Sequence, residues 1–145
     1  MLCDSAQTTQ DGKIYILGGG WSQIAQIVPV SDADEAPPTV FAIAASFLID
    51  WNDANRPFAI RVAIEPQDEL PPIYEAHAQV TAGRSPQAIP GDPLRVLIAL
   101  PVVIRFPSGG GFCVRAHMDG APQDVLVRFQ VVEVPALAAP NAGGR

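Results

Sequence analysis

The chain has 145 residues, of which 48% are hydrophobic and 17% charged, a composition typical of a folded domain and not of a disordered chain. Its net charge is −6, and its nine lysines and arginines are scattered singly along the sequence. Because nucleic acids and anionic membrane surfaces are bound through clustered cations, we expect neither as a partner. No apolar run approaches the roughly 20 residues of a membrane-spanning helix.

The start of the chain and its cysteines point to one compartment. Residues 1–10 carry an acid and several amides where a signal peptide would have a basic segment and a long apolar one. The chain holds two cysteines, Cys3 and Cys113, too few for a disulfide-stapled secreted scaffold. We therefore expect a cytoplasmic protein with free thiols.

The spacing of apolar residues predicts strands. Fifteen prolines and 12 glycines divide the chain into short runs, which is incompatible with long helices. Within the runs, apolar residues recur at every second position. The predicted strands lie near 2–8, 13–18, 23–29, 39–51, 57–65, 74–83, 93–105, 111–119 and 123–134. We predict an all-β fold, an antiparallel two-layer β-sandwich or jelly roll of eight to nine strands, with a closed barrel as the alternative.

The domain organisation is simple. The sequence shows no internal repeat and no second hydrophobic unit. We predict a single β-sandwich domain over residues 1–135 and a flexible C-terminal tail over residues 136–145. The segment Ser31 to Pro38 (SDADEAPP) is predicted to be an acidic surface loop.

Three consecutive glycines, Gly18 to Gly20, precede Trp21 after the second predicted strand. The third glycine of the dinucleotide fingerprint is missing, and no Gly-Lys-Ser/Thr follows to make a phosphate loop. We therefore predict a bulge or tight bend with positive φ at this point, and we expect no cofactor.

Two predicted strands are apolar on both faces, although each strand of a two-layer sandwich should have one polar face. The second apolar faces comprise Val40, Ala42, Ala44 and Leu48 in one strand and Leu97, Ala99 and Val103 in the other. Either residues 24–30 or the long loops of the chain fold over them, or a partner surface covers them, and both interpretations stay open. The substitution Ala99→Glu separates the two, because it disrupts association at an interface but destabilises the fold beneath a loop.

A second candidate site follows the strand predicted over 39–51. Trp21 and Trp51 would form a stacking platform for a polar ligand, with Asn52, Asn55 and Arg56 supplying hydrogen bonds. The same residues suit a structured turn in which Asn55 takes left-handed geometry. The sequence alone leaves both alternatives open.

Catalytic and metal-binding patterns are weak. Cys113 and His117 share one face of a predicted strand, but four residues separate them by roughly 13 Å, beyond the reach of a thiol–imidazole dyad. The two histidines and two cysteines lack the spacing of a zinc site. We assign no catalytic residue and no metal ligand.

Six short motifs are spread over residues 2–132. They are Leu2 to Ala6, Asp11 to Trp21, Trp51 to Pro57, Gly83 to Pro86 with Pro90-Gly91, Phe112-x5-Met118-Asp119-Gly120, and Phe129-x-Val131. Together they resemble a bacterial family known only as a domain of unknown function. The resemblance implies a single compact β-rich domain and transfers no activity. The tail beyond Pro135 lies outside it.

Two functions from different classes remain. We expect a non-catalytic interaction or assembly module that forms a homo-oligomer or docks onto a protein partner through the second apolar face. The alternative is a small polar-ligand binder or hydrolase that uses the Trp21/Trp51 loop end.

Overall fold

The computed structural model describes residues 1–29, 36–68 and 70–136. These residues form ten β-strands and one 3-10 helix. The strands are β1 (Leu2–Cys3), β2 (Ser5–Thr8), β3 (Ile14–Leu17), β4 (Gln23–Val28), β5 (Thr39–Ile49), β6 (Pro57–Pro66), β7 (Tyr74–Thr81), β8 (Leu94–Ile104), β9 (Gly110–Met118) and β10 (Val125–Pro135), and the helix spans Trp51–Asp53.

The strands form two larger sheets and a separate hairpin. One sheet has the order β1-β5-β8, the other the order β4-β10-β9-β6-β7, and β2 pairs with β3. The prediction of an all-β fold is confirmed, with a sandwich or half-barrel arrangement. One pair differs from the predicted antiparallel pattern, because β4 runs parallel to β10.

The tenth strand arises because the first predicted strand is two strands. β1 pairs with β5, but at Asp4 the chain leaves that sheet, and β2 pairs with β3 instead. The Asp4 N–H donates to the carbonyl of Leu17 at 3.0 Å, which ties the break to the end of β3. Alternation alone does not reveal such a break, since both strands keep a period of two.

The hydrophobic core lies between the two larger sheets. Alternate residues of β5, β6 and β9 and of the middle of β10 point into it, as the period-two pattern predicts. The buried side chains include Phe41, Ile43, Phe47 and Ile49 from β5, Ile60, Val62 and Ile64 from β6, Phe112, Val114 and Met118 from β9, and Phe129 and Val131 from β10.

The buried polar side chain of Gln26 connects the two larger sheets at β4. The Gln26 amide donates to the carbonyl of Phe106 at 2.9 Å and accepts from its N–H at 2.7 Å. Both polar ends of the side chain are therefore satisfied, as burial requires. This exchange links β4 to the segment that follows β8.

The glycine run forms the predicted bend. Gly18 and Gly20 have φ values of +60° and +90°, a region that L side chains rarely adopt. The N–H of Gly20 donates to the carbonyl of Leu2 at 2.9 Å, so the bend folds back against β1.

The β2–β3 hairpin lies on the outer face of the β1-β5-β8 sheet. Ala6 and Ile14 of the hairpin pack against Cys3, Ala42 and Ala44. The chain's own hairpin thus buries the middle of the second apolar face, whereas residues 24–30 or the long loops were the segments expected to cover it.

Two predicted segments fall largely outside the described residues. Of the acidic loop at Ser31 to Pro38, residues 31–35 are not described, and of the predicted tail only Ala136 is described. Within the described parts of the chain, no helix is long and apolar enough to cross a membrane.

Candidate functional site

Trp21 is partly buried and packs against the hydrophobic core. Its ring makes edge contacts with Phe41 and Phe129, with centroids 5.6 and 6.2 Å apart. Trp51, by contrast, follows the far end of β5. Phe41 and Trp51 are ten positions apart along β5 and the residues that follow it, a span of roughly 33 Å, so the structure does not bring the two tryptophans together.

The residues after Trp51 form a structured turn, the arrangement that the sequence allowed as the alternative to a ligand site. Asn55 has a φ of +64°, and its N–H donates to the carbonyl of Ala82 at 2.8 Å. Arg56 pairs with Asp53 within the same turn. A neighbouring cation, Arg84, lies 4.7 Å from the centre of the Trp51 ring and donates to the Trp51 carbonyl at 2.8 Å.

Of the three side chains that the second candidate site offered for hydrogen bonding, that of Arg56 is engaged by Asp53. Asn52 lies in the 3-10 helix and is exposed. Without Trp21, these residues do not form the predicted stacking platform.

Cys113 and His117 lie on the outer face of β9, with Arg115 between them. The Nδ1 of His117 lies 2.8 Å from Asp124 Oδ1, and its Nε2 lies 3.7 Å from Asp119 Oδ1. The imidazole is therefore engaged by carboxylates and not by the thiol. Among the described residues, no group of three or more potential ligands could hold a metal ion.

The predicted apolar interface divides into a covered and an exposed part. Ala42 and Ala44 are buried beneath the hairpin, and Leu97 and Ala99 are half-buried. Val40, Leu48 and Val103 remain exposed, at 63%, 56% and 61%. Val40 and Val103 are register partners at one end of the sheet, whereas Leu48 lies at the other end.

The exposed apolar surface at Val40 and Val103 continues across the seam between the two larger sheets, from β5 to β4. Ile27 of β4 and Val40 of β5 line the same cleft, which has a volume of about 400 Å³. On its far side, Ile27 pairs in register with Val134 of β10. We call this surface the aliphatic strip, and it comprises Ile27, Val40, Val103, Val132 and Val134, with exposures from 39% to 63%.

A groove of about 720 Å³ lies on the outer face of the five-stranded sheet. Three register partners cross its floor, Glu65 of β6, Cys113 of β9 and Arg128 of β10. Arg115 and Leu126 form the next row. The loop between β6 and β7 forms the wall, with Pro66, Gln67, Leu70 and Pro72.

The wall is held against β9 by Gln67. Its N–H donates to the carbonyl of Gly111 at 3.0 Å, and its amide donates to the carbonyl of Phe112 at 3.3 Å. A Cβ on Gly111 would lie 2.7 Å from Gln67 Oε1. Glycine at this position therefore leaves room for the end of the Gln67 side chain.

Ion pairs organise the charges on this face. Arg115 donates to Glu65 at 3.0 Å and to Asp124 at 3.1 Å. Hydrogen bonds from His117 and then from Arg115 lower the pKa of Asp124. Arg128 has no ion-pair partner among the described residues. In the groove, Arg115 is thus paired with two carboxylates, whereas the charge of the nearby Arg128 is not paired by any described residue.

Sequence reasoning did not find this groove. Its charged floor residues come from β6 and from the consecutive strands β9 and β10, which lie far from β6 along the chain, and each basic residue is isolated in the sequence. The only available signal was alternation, which places Arg115 on the outer face of its strand without saying what lies beside it.

Of two comparisons with known proteins, one found a match. Residues 1–132 match the model described as a family of unknown function (DUF6941). A comparison with curated proteins found no match.

Proposed function

The chain belongs to DUF6941, and because that family carries no assigned activity we propose a function from the geometry: a non-catalytic assembly module that self-associates through the aliphatic strip. The observation that carries the proposal is the exposure of five aliphatic side chains across the seam between the two sheets. A contiguous apolar surface on a folded domain usually marks an interaction site.

The chemistry of the strip favours a second copy of the chain as the occupant. In a twofold dimer the same patch meets itself, so it must be complementary to itself. The five side chains of the strip are aliphatic and can face their own copies without like-charge repulsion, and the charged group that lines the cleft beside them is Asp4. With a net charge of −6, the rest of the surface would repel a second copy, which leaves an uncharged patch as the suitable contact.

Strand pairing at the free edge of β8 is a less suitable route to association. Met1 and Ala44 exchange two backbone hydrogen bonds, so the backbone of Ala44 points towards β1. Alternation along β5 and its register with β8 then direct the backbone of Pro101 to the free edge. Proline has no N–H to donate there, which is a common protection of edge strands.

The test is the oligomeric state of exposed-site variants. We expect the wild-type chain to dimerise, and Val40→Glu and Val103→Glu to weaken the dimer by about 2 kcal/mol or more, because each places an unpaired charge in a dry contact. Analytical ultracentrifugation over a concentration series measures the dissociation constant.

Leu48→Glu is the matched control, since Leu48 is similarly exposed on the same face of β5 but lies outside the strip. We expect it to leave the dimer intact. A wild-type chain that stays monomeric at about 100 µM, or a Leu48→Glu variant that dissociates as readily as Val40→Glu, contradicts the proposal.

We also propose that the module works in a reducing compartment, the cytoplasm. Cys3 is buried beneath the hairpin and Cys113 lies on the outer face of the other sheet, and both are free. Two thiols so placed do not pair within one chain, which suits a compartment that keeps thiols reduced.

A further inference from the structure

We propose that the groove on the five-stranded sheet binds a small carboxylate with an aliphatic body. This site is separate from the aliphatic strip. On β10, the strip residue nearest to Arg128 is Val132, four positions further along the strand, a span of roughly 13 Å. The two proposals can therefore fail independently.

Arg128 supplies the charge that such a ligand needs. Its neighbour in register on β9 is Cys113 and not an acidic residue. The nearest acid of that row, Glu65, lies one strand further on, roughly 10 Å away in strand spacing, and is already paired with Arg115. A guanidinium with no partner at the edge of a concave site favours a planar anion that can accept two hydrogen bonds, and a carboxylate has this geometry.

The apolar walls of the groove specify the rest of the ligand. Leu126 stands two residues from Arg128 on the same face and is 47% exposed, and Leu70 in the loop is 59% exposed. Pro72 adds a rigid apolar surface beside Leu70. These side chains gain from being covered by an aliphatic chain, while a fully polar anion would leave them in water.

The ligand is a small molecule with a single negative charge. The groove volume of about 720 Å³ is in the range of small-molecule sites. Only one of its two arginines lacks an ion-pair partner among the described residues, because Arg115 is held by Glu65 and Asp124. A second negative charge would face these two carboxylates. The Gln67 contacts fix the wall before a ligand arrives, which reduces the entropy cost of binding.

The test uses hexanoate as the probe and hexanamide as its uncharged analogue. In a titration followed by two-dimensional NMR of the full chain, hexanoate is expected to shift the backbone amides of Cys113, Arg115 and Arg128 in a saturable way. Hexanamide should bind at least about tenfold more weakly, because it lacks the charge that Arg128 recognises.

Two variants decide whether Arg128 is the recognising group. Arg128→Gln should weaken hexanoate binding about tenfold or more, and added salt should then have little further effect. Arg95→Gln is the control, because Arg95 also has no ion-pair partner among the described residues but lies on β8, outside the groove. We expect it to bind hexanoate like the wild type.

Three results would overturn the proposal. The first is the absence of a saturable shift at the groove up to about 50 mM hexanoate, well beyond a millimolar dissociation constant. The second is equal binding of hexanoate and hexanamide, and the third is unchanged binding by Arg128→Gln. The unaltered spectrum of each variant away from residue 128 or 95 verifies that it is folded.

Discussion

Gly111 shows how one missing side chain shapes the groove. In its place a Cβ would approach Gln67 Oε1 to 2.7 Å and Cδ to 2.8 Å, closer than real Cβ contacts. We predict that Gly111→Ala displaces the Gln67 side chain and costs about 1 kcal/mol of stability, the usual value of one lost hydrogen bond. Urea unfolding of the variant and the wild type measures the difference.

A double-mutant cycle isolates the cause. In a Gln67→Ala background the clash is gone, and alanine is intrinsically favoured over glycine in a strand by about 0.5–1 kcal/mol. Gly111→Ala should then be neutral or stabilising. An equal loss of stability in both backgrounds would show that Gln67 is not what requires glycine here.

For single residues, the sequence predicted backbone conformations better than it predicted which side chains lie next to each other. The left-handed Asn55 and the positive φ values in the glycine run were predictable, because each depends on a residue's own backbone preference. The pairing of Arg115 with Glu65 and Asp124 was not, because it depends on which strands lie side by side.

At the scale of elements, the alternation of apolar residues located the strands, but it did not show which segment covers the outer face of β5. The predicted run over 39–51 corresponds to β5 at Thr39–Ile49, and the run over 93–105 to β8 at Leu94–Ile104. The apolar character of both faces correctly indicated a covered surface in the middle of β5. That the hairpin covers it depends on the break at Asp4, which periodicity does not record.

The hairpin makes the middle and the end of β5 respond differently to a charge. Ala44 is 5% exposed and packs beneath the hairpin, whereas Leu48 on the same face is 56% exposed. We predict that Ala44→Glu lowers the free energy of unfolding by about 3 kcal/mol or more, because it buries an unpaired carboxylate. Leu48→Glu should change it by less than about 0.5 kcal/mol.

Chemical denaturation measures both variants. A stable Ala44→Glu variant would mean that the hairpin does not cover this face in solution. For the same reason, Ala99→Glu now belongs with the destabilising variants, because Ala99 is the half-buried register partner of Ala44.

At the scale of the whole molecule, the order of the strands was beyond sequence reasoning. β4 joins β10 as a parallel neighbour although about one hundred residues separate them in the chain, and no local turn specifies such a pair. The aliphatic strip exists only because of this pairing, since it joins Ile27 of β4 to Val134 of β10. The part of the strip on β5 and β8, Val40 and Val103, was predictable as a candidate interface.

A carboxyl on the outer face of the five-stranded sheet also makes the stability of the fold depend on pH. Hydrogen bonds from Arg61 and then His77 lower the pKa of Glu75 from its ordinary value of 4.5 to about 2. Arg61 Nε lies 2.8 Å from Glu75 Oε1, and His77 Nε2 lies 2.7 Å from the same oxygen. The folded state thus holds Glu75 ionised at a pH where the unfolded chain would bind a proton.

The sign of the pH effect follows from this difference. A carboxyl whose pKa is lower in the folded state contributes stability that is fully present above its unfolded pKa and is lost as the pH falls through its folded pKa. For Glu75 the loss should run from about pH 4.5 to about pH 2. We predict that the urea midpoint of the wild type falls over this window. Glu75→Gln should be less stable at pH 7, and its urea midpoint should fall less steeply on acidification.

The control Asp68→Asn, at a carboxyl with no ion pair among the described residues, should keep the wild-type slope. Because Glu75 is exposed, high salt should shrink the difference between Glu75→Gln and the wild type. Parallel curves for the two proteins at low salt would show that these contacts do not stabilise the fold.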